Sequence, residues 1–350
     1  MSSERPVFRH PQAAKNSAGY SRKDYEGAIS TLCAGCGHDS TTNAIIQACF
    51  ELAIEPHRVA KMSGIGCSSK TPAYFLGRSH GFNAVHGRMP AIAAGANMAN
   101  RELLYIGISG DGDTASIGMG QFAHALRRNL NLNYICMNNG CYGLTKGQDS
   151  ATADRGSAGK KGEPNPYSAI DLCKLAIELG ASYVARGFSG DKQQLVPLIK
   201  GAFAHNGLAF IDVISPCVTF NNTSTSTKSY EYVREHIEAT NTFDFIPLQQ
   251  EILAHYPEGT SQEVVMHDGS IISLHKSEAG KEVTSRRLAL DGLEEEKAKG
   301  RLLTGLLYVD PQSVDTHDIV NSTLRPLNTL GEADLCPGGA TLAKLMDGWR

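Results

Sequence analysis

From about residue 29 to residue 216 the chain alternates between helix-period segments and short, continuous apolar runs. This feature constrains the fold more than any other. An apolar run too short for a helix and without polar alternation reads as a strand buried on both faces, and such strands belong to parallel sheets covered by helices. Asp39 to Leu52 has helical spacing, with Ala44, Ile45, Ala48 and Leu52 on one face. His57 to Ile65 reads as a strand that runs into the turn GIGCSS. Glu102 to Ser109 and Asn133 to Met137 read as buried strands, with the helix Gly118 to Leu130 between them. Ile170 to Leu179 reads as a helix followed by the strand Ser182 to Arg186, and Gln193 to Ala204 as a helix followed by the strand Leu208 to Ile214. The expected architecture is therefore a parallel sheet flanked by helices.

Outside this region the character changes. Residues 1–28 read as an N-terminal arm with little periodicity, and residues 29–222 as the main domain. Residues 223–350 read as a C-terminal extension of short helices and hairpins without a second large core. Of the 350 residues, 41% are hydrophobic and 20% charged, which allows a sizeable core. A net charge of −3 gives no basic footprint for nucleic acid. No apolar run is long enough to span a bilayer. The polar N-terminus lacks the apolar stretch of a secretory signal, so a cytoplasmic protein is expected. Nine cysteines in a reducing compartment are not a disulfide framework. They are candidates for packing, metal binding or redox chemistry.

One constellation begins with GDGDTASIGMGQF at Gly110 and continues with NNGCYG at Asn138. Gly110, Asp111 and Gly112 close a strand and open a helix. Glycines there let backbone N–H groups approach a phosphate, whose charge the helix N-terminus favours. Asp111 can hold a hard divalent cation. Asn139 follows after one helix and one strand, so it returns to the same sheet edge, and the backbone carbonyl of Cys141 is placed as a third oxygen ligand. A lone GDG is most simply a turn, but two halves at the right interval on the right elements are not. Together they resemble the diphosphate motif of thiamine-diphosphate enzymes.

The second constellation is cysteine. Cys33 and Cys36 lie in CAGCGH, Cys67 in GIGCSSK and Cys217 in SPCVTF. Two thiolates from one short loop and two from strand-end loops can make a four-cysteine site for zinc or for a [4Fe–4S] cluster, and spacing alone does not choose between them. Taken singly, Cys67 or Cys217 would be expected merely to pack. Cys49, Cys136 and Cys173 sit in apolar periodic segments and are expected in the core. Cys336 is unassigned.

The motifs CAGCGH, GIGCSSK, HGR, GDGDTASIG, NNGCYGLTKGQ and SPCVTFNN occur in this order over roughly residues 29 to 222. The set resembles the β subunit of two-subunit, CoA-dependent 2-oxoacid:ferredoxin oxidoreductases. The resemblance implies a Rossmann-like thiamine-diphosphate-binding fold of the α/β class, a parallel sheet with helices on both faces. It implies that Cys33, Cys36, Cys67 and Cys217 ligate one [4Fe–4S] cluster, which resolves the zinc alternative. It implies Mg²⁺ at Asp111, Asn139 and the carbonyl of Cys141. Ile65, Gly66, Cys67, Ser68, Gly112, Asp113, Gly143 and Leu144 would line thiamine diphosphate, with His86 beside it. An α subunit carrying the pyrimidine side of the cofactor is implied, in an α₂β₂ assembly, with ferredoxin, CoA and a 2-oxo acid as further partners. Nothing carries over to the residues after 222.

The chemistry is coherent. Thiamine diphosphate acts as electron sink when CO₂ leaves a 2-oxo acid. A nearby cluster can then drain the electron-rich product in two one-electron steps before the acyl unit passes to CoA. His86, in HGR, is a candidate to hydrogen-bond the cofactor or relay a proton, against the alternative of a structural histidine. Lys146, in GLTKGQ, is a candidate partner for a second carboxylate on the substrate, against the alternative of a solvated loop lysine. Family members with this pattern tend to accept 2-oxoglutarate, so conversion of 2-oxoglutarate to succinyl-CoA is the expected reaction, with pyruvate or a broad range of 2-oxo acids as the alternative. Lys70 faces either diphosphate or solvent, and His10, His38, Tyr142 and Arg88 carry no assignment. Two other classes compete. A non-redox thiamine-dependent decarboxylase would not need four cysteines at strand-end loops. A zinc-stapled binding module would make GDG and NN fortuitous turns.

Overall fold

The computed structural model describes residues 14–157, 164–215, 217, 253–265, 271–277, 282–336 and 338–349. His10, most of the SPCVTFNN motif and the polar stretch that opens the C-terminal extension lie outside these residues.

Nine strands form one sheet. In chain order they are β1 (Val59–Ser63), β2 (His80–Asn83), β3 (Leu104–Gly110), β4 (Leu132–Asn138), β7 (Tyr183–Phe188), β8 (Leu208–Ile214), β9 (Ser261–Val265), β10 (Ile271–Lys276) and β11 (Leu302–Val309). The short strands β5 (Cys141–Tyr142) and β6 (Gln148–Asp149) make a separate antiparallel pair. The spatial order is β2-β1-β3-β4-β8-β7-β11-β10-β9. The first six are parallel throughout, with Ile108 opposite Ile135 and Ile135 opposite Ile211 at the centre.

Both faces are covered, as the unbroken apolar runs require. Along β4, Tyr134 and Cys136 join one buried cluster while Ile135 and Met137 join another. Side chains alternate across a strand, so a strand apolar at every position must feed two cores. One face packs against the helices α2 (Met89–Ala99), α3 (Met119–Arg127) and α4 (Leu172–Glu178). There Phe122, Tyr134 and Phe210 meet edge-on, with ring centroids 5.0–5.7 Å apart. The opposite face packs against α1 (Gly37–Glu51) and α5 (Lys192–Ala204). Cys49, Cys136 and Cys173 are fully buried, as expected.

Two features depart from the expectation. The C-terminal residues do not stand apart from the sheet. β11 pairs antiparallel with β7, and β10, the helix α6 (Arg286–Ala298) and β11 form a parallel crossover on its far side. The sheet is therefore mixed. Pairing β11 with β7 covers backbone groups that would otherwise form a bare edge, and it buries Leu303 and Leu307 in the same cluster as α4. The second departure follows the GDG run. Residues Gly112–Ile117 form a π-helical turn, and the regular helix begins only at Met119. Among the described residues no helix is long and apolar enough to cross a membrane.

Candidate functional site at the carboxyl edge of the sheet

In a parallel sheet with crossovers, ligands bind where loops leave the carboxyl ends of the strands. The loop after β1 carries Cys67, the loop after β3 carries Asp111 and Asp113, the loop after β4 carries Asn139 and Cys141, and the segment after β8 carries Cys217. One cleft at this edge is lined by Ile65, Gly66, Cys67, Ser68, His86, Asp111, Gly112, Asp113, Asn139, Cys141, Gly143 and Leu144. These are all the residues expected to hold thiamine diphosphate and Mg²⁺. His38, Tyr142 and Thr145, which had no assignment from sequence, also line it.

Asp111 is 1% exposed. Its Oδ2 accepts hydrogen bonds from the hydroxyls of Ser150 and of Thr152, the latter at 2.8 Å, and its Oδ1 takes a long 3.4 Å contact from the Asn139 N–H. Burial pushes its carboxyl above the ordinary value, and the Ser150 and Thr152 hydrogen bonds work against that shift. These partners are neutral, and Asp111 has no cationic partner among the described residues. A buried carboxylate without a counter-charge is costly, and a divalent cation at its free face would remove that cost. The donor set therefore fits Mg²⁺. Asn139 Oδ1 receives the Cys141 N–H at 3.1 Å, which ties the two remaining candidate ligands into one turn.

Gly112 has a further reason besides the one expected. A Cβ there would lie 2.5 Å from the Tyr142 ring, whose hydroxyl donates to the Gly112 carbonyl at 3.1 Å. The glycine makes room for an aromatic side chain that locks the GDG loop to the NNGCYG loop.

His86 and Asp113 form a pair. His86 Nδ1 lies 2.9 Å from Asp113 Oδ1. The same carboxylate accepts the Gly87 N–H at 2.8 Å and the Ser109 hydroxyl at 3.1 Å. Asp113 is thus turned to His86, whose half-exposed ring borders the cleft.

The four candidate cluster cysteines lie in loops at the same edge of the fold. Burial pushes the Cys36 thiol up to about 12, and the charges of Cys217 and Cys33 add to that rise. Burial also raises Cys67, again with Cys217 and Cys33 contributing. Cys33 and Cys217 therefore lie within electrostatic reach of both Cys36 and Cys67. Cys67 also packs where a Cβ on Gly143 would be, 3.3 Å from its Sγ, so it stands between the cysteine group and the cofactor loop. His38 binds the two cysteine-bearing segments together, with Nδ1 2.6 Å from the Ser215 hydroxyl. Burial holds its imidazole down to about 4, so it is neutral near pH 7. Among the described residues no three His, Cys, Asp or Glu side chains stand in a closed metal-binding arrangement. The thiols suit a cluster by their chemistry.

Lys146 is exposed and does not line the cleft, although its neighbours Leu144 and Thr145 do. Its backbone is left-handed, with φ at 79°. A non-glycine residue in that region is uncommon and marks a constrained turn. Lys70 is exposed, and its charge lowers Cys67. Reading the sequence did not single out Ser150, Thr152, Asn138, Asp212 or Arg186, which lie beneath Asp111. The only signal was their clustering as polar residues in otherwise apolar or turn segments.

Residues 64–213 match the thiamine pyrophosphate enzyme C-terminal TPP binding domain. The chain is 44% identical over 194 residues to the 2-oxoacid:ferredoxin oxidoreductase subunit beta of a Sulfolobus species, a match covering 55% of this chain and 64% of that one. It is 43% identical over 193 residues to the 2-oxoglutarate synthase subunit KorB of Methanocaldococcus jannaschii, covering 54% of this chain and 70% of the relative. The match thus spans less than two thirds of the Sulfolobus protein. Among solved structures, the 2-oxoglutarate:ferredoxin oxidoreductase from Magnetococcus marinus with 2-oxoglutarate, coenzyme A and succinyl-CoA bound aligns with a TM-score of 0.70 at 27% identity, covering 90% of this chain and 94% of that chain.

Proposed function

The chain belongs to the family of 2-oxoacid:ferredoxin oxidoreductase β subunits, and on that footing we propose that it is the thiamine-diphosphate- and cluster-bearing subunit of a CoA-dependent enzyme that oxidatively decarboxylates 2-oxoglutarate. The observation that carries this reading is the meeting of two constellations at one edge. The buried, uncompensated Asp111 and the thiol of Cys67 line the same cleft, and Cys33 and Cys217 act on both Cys67 and Cys36. A decarboxylase without redox chemistry would have no use for that arrangement.

Bound thiamine diphosphate supplies the electron sink for loss of CO₂, and a [4Fe–4S] cluster supplies one-electron acceptance. Asp111, with Asn139 and the carbonyl of Cys141, would hold Mg²⁺ against the diphosphate. Ile65, Gly66, Ser68, Gly143 and Leu144 wall the cleft in which the cofactor would lie, with Gly112 and Asp113 at its GDG end. His86 is the proton-carrying group beside it. Asp113 fixes the orientation of its ring, leaving Nε2 to hold or pass a proton at the cofactor. Cys33, Cys36, Cys67 and Cys217 would hold the cluster, and His38 holds two of their segments in place while remaining uncharged.

The cleft offers one side of a cofactor site, so a partner α subunit would complete it, in an α₂β₂ assembly that passes electrons to ferredoxin and the acyl group to CoA. The M. marinus enzyme is described with 2-oxoglutarate, coenzyme A and succinyl-CoA bound, and the M. jannaschii relative is named a 2-oxoglutarate synthase subunit, which supports 2-oxoglutarate as substrate here. Pyruvate or a broader set of 2-oxo acids is the competing reading.

The test is cofactor and metal analysis of the protein purified anaerobically with its partner subunit. Thiamine diphosphate together with iron and sulfide is the expected result. Thiamine diphosphate without iron would point to non-redox chemistry, and zinc without thiamine diphosphate would point to a binding module.

A further inference from the structure

Beneath the cleft, a chain of buried polar groups runs from Asp111 into the body of the sheet. The Thr152 hydroxyl lies 2.8 Å from Asp111 Oδ2, 2.9 Å from Ser150 Oγ and 3.0 Å from Asn138 Oδ1. Asn138 Nδ2 donates to Asp212 Oδ1 at 3.1 Å. Arg186 Nε donates to Asp212 Oδ2 at 3.0 Å, and its Nη2 to Asp171 Oδ1 at 2.6 Å. Asp171 in turn caps α4. Arg186 and Asp212 sit on adjacent strands, opposite each other in the β7–β8 register, so this base is rigid.

Thr152 has one hydroxyl hydrogen and three oxygen neighbours. The charged acceptor is the nearest and makes the strongest bond, so the proton goes to Asp111. With Ser150 donating to the same oxygen, Oδ2 is held twice from below. The contact from the Asn139 N–H to Oδ1, at 3.4 Å, is beyond the usual range for such a bond and leaves Oδ1 with accepting capacity. The two hydroxyls thus hold the carboxylate with one oxygen committed to the protein and the other left for a cation.

We infer that Thr152 is a positioning residue for the divalent-cation site, orienting Asp111 through its hydroxyl. This inference rests on the reading of Asp111 as a Mg²⁺ ligand. Groups that orient a metal ligand commonly change metal affinity about 10- to 100-fold when lost.

The test uses the intact complex with its partner subunit, stripped of Mg²⁺ and thiamine diphosphate. Thiamine diphosphate binding is followed by calorimetry across a Mg²⁺ titration, with iron content measured alongside. Thr152→Val keeps the shape and removes the hydroxyl. It should raise the Mg²⁺ concentration for half-saturation by about tenfold or more while iron content stays unchanged. Thr152→Ser restores the hydroxyl and should return that concentration to near the wild-type value. Asp111→Ala separates the two claims. If Asp111→Ala abolishes Mg²⁺-dependent binding and Thr152→Val leaves the titration unmoved, the role of Thr152 is wrong and the Mg²⁺ reading stands. If Asp111→Ala itself leaves the titration unmoved, both are wrong. Equal weakening in Thr152→Val and Thr152→Ser would assign the effect to packing and overturn the hydroxyl role.

Discussion

His86 Nδ1 lies 2.9 Å from Asp113 Oδ1, at the rim of the cleft that also contains Asp111. A carboxylate against one imidazole nitrogen decides which nitrogen carries the proton and fixes the ring plane, leaving the other nitrogen with a defined role. Asp113→Asn keeps the size of the side chain and a carbonyl oxygen for the Gly87 N–H, but removes the charge. Turnover should fall by about 100-fold, the lower end of what a positioned proton-transfer group contributes, with bound thiamine diphosphate unchanged. Loss of cofactor in step with turnover would mean that Asp113 only holds the loop.

The assignment of four cysteines to a cluster makes a second prediction. Cys36→Ser or Cys217→Ser should abolish the broad visible absorbance of an iron–sulfur centre and ferredoxin reduction. Cys173→Ala should do neither, because Cys173 is fully buried in the core and its thiol donates to the Ala185 carbonyl at 3.6 Å. Full cluster content in Cys36→Ser would refute the ligand assignment.

Asp111 is the one anionic ligand expected for Mg²⁺ on this chain. Asp111→Ala should lose bound thiamine diphosphate and keep the cluster, since the cysteine segments do not depend on its carboxylate. Chelation of Mg²⁺ in the wild-type complex should release the same cofactor. Quantifying thiamine diphosphate and iron in the same samples decides this, and unchanged occupancy in the variant would remove the assignment.

Lys146 tests substrate choice. 2-Oxoglutarate carries a distal carboxylate that an ammonium can pair with, and pyruvate does not. Losing one charge-assisted contact costs about 1.5–3 kcal/mol, roughly ten- to over a hundredfold in kcat/KM. Lys146→Ala should weaken turnover of 2-oxoglutarate by that factor and spare pyruvate, measured in steady state with an artificial electron acceptor. Equal losses for both substrates would show that the lysine serves the cofactor or the turn, and no loss for either would show that the partner subunit selects the substrate.

The sequence by itself determined five of the six parallel strands and the motif-bearing loops at their ends; β2, exposed along its length, carries no apolar run and was not legible. Continuous apolar runs can be satisfied only by burial on both faces, and that requirement is local enough to read from Leu132–Asn138 or Leu208–Ile214 alone. The motif residues were legible because backbone-approach glycines, a cation-binding carboxylate and paired cysteines leave marks at fixed spacing. Tertiary structure decided the rest. That β11 closes the β7 edge depends on packing between segments far apart in the chain, and nothing in Leu302–Val309 names its partner. That Gly112 yields to the Tyr142 ring, that His38 reaches Ser215, and that Thr152 holds Asp111 over Asn138, Asp212 and Arg186 are all contacts across loops and neighbouring strands. Hydrogen bonds of that kind act over about 3 Å. They exist only once the fold has brought distant residues to that separation, which sequence spacing does not encode.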